Sequence, residues 1–259
     1  ALGLPLALAA FWLFPRLPTP LWGLPDRVVA RPGLSDSMSP GAWANLMNDD
    51  SPAARVQFIG AAPPQSQMYW RGPVLWDFDG RTWRQLKQLQ RMPPPPTQVS
   101  GRGWDYLIEP EPTEDRQLVA LDLPTQVPAG AYVGNDYSVY SERPLDNVTR
   151  WRMRAAAPAS AQAQLPPILR QHALSLPHGF NPRTLAMGRQ WRREAGHDAG
   201  GDADAAIADR ALAMIRRDFA YTLNVPLAGR NEIDDFLFDR RQGFCEHISS
   251  AFVVLMRAA

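Results

Sequence analysis

The period of the apolar residues changes once along these 259 residues, and that change restricts the fold class more than any other feature. Before about residue 157 the patterned stretches are aromatic or alternate in polarity: Met68 to Phe78, Arg81 to Leu86, Trp104 to Ile108, Gln117 to Leu123, Tyr132 to Tyr140 and Val148 to Arg154. Alternation sends successive side chains to opposite faces of a strand, so these stretches predict half-buried antiparallel sheet. Asp79-Gly80 joins the first two, and its tolerance of positive φ predicts a hairpin. Ala155 to Gln164, rich in Ala, Gln, Ser and Pro, reads as the boundary.

Beyond it the spacing becomes helical. Asn181 is expected to cap a helix with Pro182 at its first position and Ala195-Gly196 at its end. Gly200-Gly201 reads as a joint, followed by a helix capped by Asp202 or Asp204 with the stripe Ile207, Ala211, Met214 and Ile215. Tyr221 to Leu223 reverts to strand, and Asn231 to Asp239 forms a short helix with Ile233, Phe236 and Leu237 inward. Gly243 breaks the chain before a last helix whose apolar face is Ile248, Ala251, Phe252, Leu255 and Met256. The fold class is therefore α+β, with a β-rich region over 26–157 and a helical region over 158–259.

Composition removes several function classes. Lys+Arg 27 against Asp+Glu 26 leaves a net charge of +1, too little for a nucleic-acid footprint. Arg150, Arg152 and Arg154 share one strand face, but a charged row on a strand is first of all a solvated face. One cysteine excludes an internal disulfide and any multi-cysteine metal site. Asp77-Phe78-Asp79-Gly80 imitates the start of a calcium loop without its further oxygen ligands, so neither metal nor cofactor is expected. Pro93 to Pro96 reads as an extended surface loop.

Ala1 to Phe14 is an uncharged apolar run interrupted only by Pro5. It is shorter than the roughly 20 residues that span a bilayer, yet Phe11, Trp12, Phe14 and Trp22 around Arg16 have the character of interfacial anchors. Residues 1–25 are accordingly expected to be the end of a transmembrane helix with its membrane-interface segment.

Cys245 is where chemistry concentrates. It falls in the first turn of the last helix, where unpaired backbone N–H groups and the positive end of the dipole favour a thiolate, and where the same N–H groups, that of Cys245 included, would receive an oxyanion. Glu246 opposes the thiolate with a like charge, and an imidazolium at His247 would favour it. A lone cysteine is also a common small buried apolar group, and the residues alone leave both readings open. His247 lies two residues on, about 200° around the helix, and so cannot pair with Cys245 directly; it reads as a supporting or structural residue.

The run Arg241-Gln242-Gly243-Phe244-Cys245, then Ala251-Phe252 and Leu255 to Ala259, resembles the nucleophile helix of the transglutaminase-like superfamily. Phe219 to Leu223 with Pro226, Ile233 to Phe238, and the long match over Met68 to Trp76 and Phe78 to Trp83 resemble bacterial membrane-anchored members of the TgpA type. The resemblance implies a papain-like core, begun but not completed in 158–259, with Cys245 as nucleophile of a Cys-His-Asp triad. It places the general base and the orienting acid on strands after the nucleophile helix, so no position of this chain inherits either role. The chain is expected to be a fragment cut at both ends and inert alone, with the last helix exposing Ile248, Phe252, Leu255 or Met256. The activity implied is acyl transfer or hydrolysis at amides of protein or peptide substrates in the cell envelope, in a region outside the cytoplasm anchored to the inner membrane. A scaffold or peptide-binding module that keeps the fold without catalysis is the alternative.

Overall fold

The computed structural model describes residues 35–41, 52–160, 165–196, 200–225 and 229–259. The expected membrane segment, 1–25, lies outside them, and among the described residues no helix is long and apolar enough to cross a membrane. The strand-rich half runs β1 (Ser37–Met38), β2 (Ala54–Ile59), β3 (Trp70–Arg71), β4 (Leu75–Phe78), β5 (Trp83–Gln85), a helical turn α1 (Lys87–Gln90), β6 (Gln98–Pro110), β7 (Gln117–Leu118), β8 (Ala120–Leu121), β9 (Pro124–Gln126), β10 (Ala131–Val133), β11 (Val139–Ser141) and β12 (Trp151–Ser160). The helical half follows with α2 (Pro167–Ala173), α3 (Pro182–Ala195), α4 (Gly200–Asp218), β13 (Ala220–Tyr221), α5 (Glu232–Asp234), a π turn (Asp235–Arg240), β14 (Gln242–Gly243) and α6 (Cys245–Ala258). Strand therefore dominates before the boundary and helix after it.

The antiparallel sheet β2-β6-β12-β9 carries the first core. Trp104, Tyr106 and Ile108 alternate inward from β6 and meet Met153 and Ala155 of β12, with Met153 directly opposite Tyr106. The Tyr106 hydroxyl accepts the Leu121 N–H at 2.9 Å, and burial pushes its pKa up to about 12. The opposite face is charged and paired: Arg154 faces Asp105 across the ladder, and Arg150 meets Glu109 at 3.1 Å. Two of the three arginines in the row, Arg150 and Arg154, are thus paired within the sheet.

Several strand expectations need correction. Tyr132 to Tyr140 is not one strand but the β10–β11 hairpin, closed by Gly134 N–H donating to Ser138 O at 2.8 Å, with Tyr137 at φ 62. Met68 to Phe78 is cut at Gly72-Pro73, since proline offers no ladder donor, and β3 pairs with β8 instead of entering the hairpin. Ala155 to Ser160, expected to begin a linker, continues β12, paired with β6.

The Asp79-Gly80 turn is present between β4 and β5, with Gly80 at φ +105 and Asp79 Oδ1 accepting the N–H groups of Arg81 (3.0 Å) and Thr82 (2.8 Å). A Cβ on Gly80 would fall 2.6 Å from the Phe180 ring, so the turn also abuts the helical half. The hairpin's core is the helical one. Trp83 stacks on Phe78 at 4.4 Å, packs with Ile233, Phe236, Leu237, Ala251 and Val254, and donates Nε1–H to Ser250 Oγ at 2.7 Å.

Helix ends in this half are capped across elements. Asn181, expected to cap α3 with its own side chain, sits at φ 49 and gives its Oδ1 to the N–H groups of Ile233 (3.1 Å) and Asp234 (3.4 Å). Asp234 returns the favour to α3, its carboxylate accepting Arg183 N–H at 2.9 Å and Thr184 N–H at 2.8 Å. Gly200-Gly201 is not a joint: the backbone is already helical at Gly200, which places Asp202 and Asp204 inside α4.

Candidate active site

Two backbone features place Cys245. β14 pairs in parallel with β13, tied by Ala220 N–H to Arg241 O (2.9 Å) and Thr222 N–H to Gly243 O (2.8 Å). A Cβ on Gly243 would come 3.0 Å from both His247 Cβ and the Phe236 ring, so the chain turns into α6 in tight contact with these groups, a fit that glycine favours. Phe244, extended and fully buried, then closes the approach, and the helix begins at Cys245. Its neighbours Phe244, Glu246 and His247 are buried, whereas Cys245 is exposed. A cysteine used as core filler would be enclosed; this one faces outward at a helix start, beside N–H groups that helix geometry leaves free.

The rest of α6 is held rigidly. A Cβ on Gly188 of α3 would lie 2.7 Å from Ala258 Cβ, which shows how close the two helices approach. Leu255 is wholly enclosed by Trp191, Ile207 and Ala211, so α3 and α4 cover a residue expected among the exposed ones; Ile248, Phe252 and Met256 are half-buried. Arg257 donates to Trp76 O at 2.7 Å and Ser175 O at 3.0 Å with its guanidinium over Trp83, tying the helix's far end to the hairpin.

Behind Cys245 the first turn of α6 is polar and closed. Glu246 Oε2 accepts the Gly41 N–H at 3.1 Å. His247 Nε2 approaches Glu232 Oε1 at 3.5 Å, an ion-pair separation but too long for a good hydrogen bond. Phe244 meets the imidazole edge-on at 4.6 Å. Burial pushes both Glu232 and Glu246 up to about 7, and Glu246 adds to the rise at Glu232. Burial, then the Arg240 charge, pushes His247 down, so a neutral imidazole replaces the imidazolium expected there. The sequence presents Glu246 only as a like charge beside the thiol and gives no sign of Glu232; the structure buries both carboxyls.

The other histidines are elsewhere. His172 lies against Asp77 in a cavity of about 240 Å³ that Arg84, Ser175 and Arg257 also line, His178 is exposed, and His197 falls outside the described residues. Among the described residues Cys245 has no hydrogen bond or ion pair to any side chain, and no cluster of three His, Cys, Asp or Glu would hold a metal ion.

Two family models match the chain: "TgpA N-terminal domain" over residues 1–162 and "Transglutaminase-like superfamily" over residues 193–259. A protein-glutamine gamma-glutamyltransferase of Pseudomonas aeruginosa is 35% identical over 259 residues, a match covering 99% of this chain and 38% of that protein. The crystal structure of the periplasmic domain of TgpA from Pseudomonas aeruginosa bound to ethylmercury superposes with a TM-score of 0.75 at 34% identity, covering 88% of this chain and 79% of that one. A second crystal structure of that periplasmic domain gives a TM-score of 0.75 at 33% identity, covering 88% and 77%.

Proposed function

Because the chain belongs to the TgpA family and carries transglutaminase-like sequence, we propose that it is the nucleophile-bearing part of a cysteine acyltransferase acting on protein glutamine in the periplasm, in a protein anchored to the inner membrane. The single observation that carries this reading is Cys245: exposed, at the first position of a helix that is otherwise fixed on several sides. The Cys245 thiolate attacks the carboxamide carbon of a glutamine side chain, and the oxyanion that forms is received by N–H groups of the α6 start. As that intermediate collapses, the nitrogen takes up one proton from the general acid, the C–N bond breaks, ammonia leaves, and a thioester to Sγ remains. A primary amine then attacks the thioester and releases the thiolate as a new amide forms; water in its place yields glutamate. Among the described residues no histidine pairs with Cys245, so this reading assigns the general base to none of them.

The test is incorporation of a fluorescent primary amine into a glutamine-bearing protein by the full-length protein and its Cys245→Ala variant. Incorporation that falls to background in the variant is the expected result. Unchanged incorporation in the variant would remove Cys245 as the nucleophile, and none in the wild type would favour the scaffold or peptide-binding module.

A further inference from the structure

Glu246, Glu232 and His247 take no part in the bond changes assigned to Cys245, yet they enclose the turn from which its sulfur projects. They are only 7%, 8% and 4% exposed. Glu246 reaches the segment before β2 through the Gly41 amide, Glu232 comes from α5, and His247 is wedged between the Phe236 and Phe244 rings. The charged groups that face Glu232 are Arg81 from the hairpin turn, Arg240 and Asp235 from the π turn, and Glu246 itself; Arg240 also faces His247. One oxygen of each glutamate (Oε1) and Nδ1 of His247 have no hydrogen-bond partner among the described residues. Positions that served packing alone would be better filled by apolar side chains, because replacing buried ionisable groups that way is often neutral or stabilising.

We propose that Glu246 is a positioning residue for the nucleophile: docked on the Gly41 amide and enclosed with Glu232 and His247, it fixes the first turn of α6 and sets how much negative charge stands beside the Cys245 sulfur. The role rests on Cys245 acting through its thiolate. An ionised carboxylate next to the thiol opposes thiolate formation, whereas a carboxyl that keeps its proton leaves the helix N-terminus to act on the sulfur. Burial places the proton exchange of both glutamates near neutrality, so the opposition switches on as pH rises past about 7. Glu246 thereby restrains the nucleophile above neutral pH and releases it below.

Cys245 is the only cysteine, so alkylation of the 259-residue chain reads this site alone. The experiment follows the rate with iodoacetamide from about pH 5.5 to about pH 9.5, in the wild type and in Glu246→Gln and Glu232→Gln, with far-UV circular dichroism to establish folding. Glu246→Gln keeps an acceptor for Gly41 but cannot ionise. It is expected to follow a single thiol ionisation and to react roughly two- to tenfold faster than the wild type above about pH 8, the effect of removing one like charge from the residue next to the thiol. Glu232→Gln removes the neighbouring charge and is expected to move the wild-type slowing to lower pH. If Glu246→Gln does not fold, the direction of the Glu232→Gln shift decides. A wild-type profile with a single thiol ionisation and no departure near neutral pH, or variants that superimpose on the wild type, would overturn the proposal while leaving the thioester chemistry intact. Amine incorporation that does not depend on Cys245 would instead remove the catalytic reading and leave the alkylation comparison standing.

Discussion

Tyr106 in the β6–β12 sheet and Glu246 at the start of α6 are both enclosed, at 0% and 7% exposure, and their surroundings are opposite. Around Tyr106 the neighbours are apolar and the one polar atom is satisfied by the Leu121 amide. Around Glu246 the neighbours are a second carboxyl and an imidazole, and polar atoms remain without hydrogen-bond partners among the described residues. Apolar burial stabilises by about 25 cal/mol for each Å² removed from water, whereas burying an unsatisfied polar group costs free energy. Tyr106 thus sits in a satisfied apolar setting, whereas Glu246 and His247, one and two residues from the exposed sulfur, carry an electrostatic cost together with Glu232. Single buried polar atoms without hydrogen-bond partners among the described residues also occur in the strand-rich half, at Gln117, Tyr140 and Trp151.

The hairpin is where this contrast is most easily broken, since Trp83 comes from the strand-rich half and fills the core beneath α6. Trp83→Ala leaves a cavity and strands the Ser250 hydroxyl, and a loss of about 3–5 kcal/mol is expected in denaturant unfolding. The Cys245 alkylation rate should change in the same variant, because Trp83 supports the middle of α6; an unchanged rate would show that the hairpin stabilises without positioning.

A smaller and opposite pair of effects separates the two regions themselves. Tyr106→Phe strands the Leu121 N–H and should lower stability by about 1–3 kcal/mol, equally from pH 5 to pH 8, because the hydroxyl titrates only near 12. Glu246→Gln should instead show a pH-dependent difference. The folded-state pKa of Glu246 is raised to about 7 from the ordinary carboxyl value of 4.5, so the folded chain holds a proton that the unfolded chain releases. The stability linked to that proton is fully present below pH 4.5 and is lost as pH rises through about 7. The glutamine variant should therefore gain on the wild type between those limits, by about 1–3 kcal/mol, in melts at stepped pH. A gain on going to acid would reverse the sign and contradict the burial argument.

Much of the frame was legible in the sequence. The Asp79-Gly80 turn, the alternation through Trp104 to Ile108 and the helical stripe from Ile248 are local patterns, and each forms where the pattern places it. The misplaced features depend on partners distant in sequence. Asn181 looks like a cap for its own helix, and only the fold shows that it exchanges caps with Asp234 some 50 positions away. Tyr132 to Tyr140 alternates well enough to pass for one strand, and the turn at Gly134 is decided by pairing with β7. At the site, the position of Cys245 was readable from Gly243 and the stripe that follows. Glu232 was not, because a glutamate at the start of a short helix signals first-turn stabilisation and becomes a buried neighbour of His247 only through the packing of α5 against α6.

The central claim is that Cys245 accepts the acyl group, and intact-mass spectrometry of the acid-quenched full-length protein, mixed with a glutamine donor peptide and no amine, measures it directly. The mass expected is the protein plus the donor less ammonia, mapped to Cys245 by fragmentation and discharged on adding a primary amine. A donor consumed with no covalent species on Cys245, or an adduct that persists in Cys245→Ala, would contradict the account.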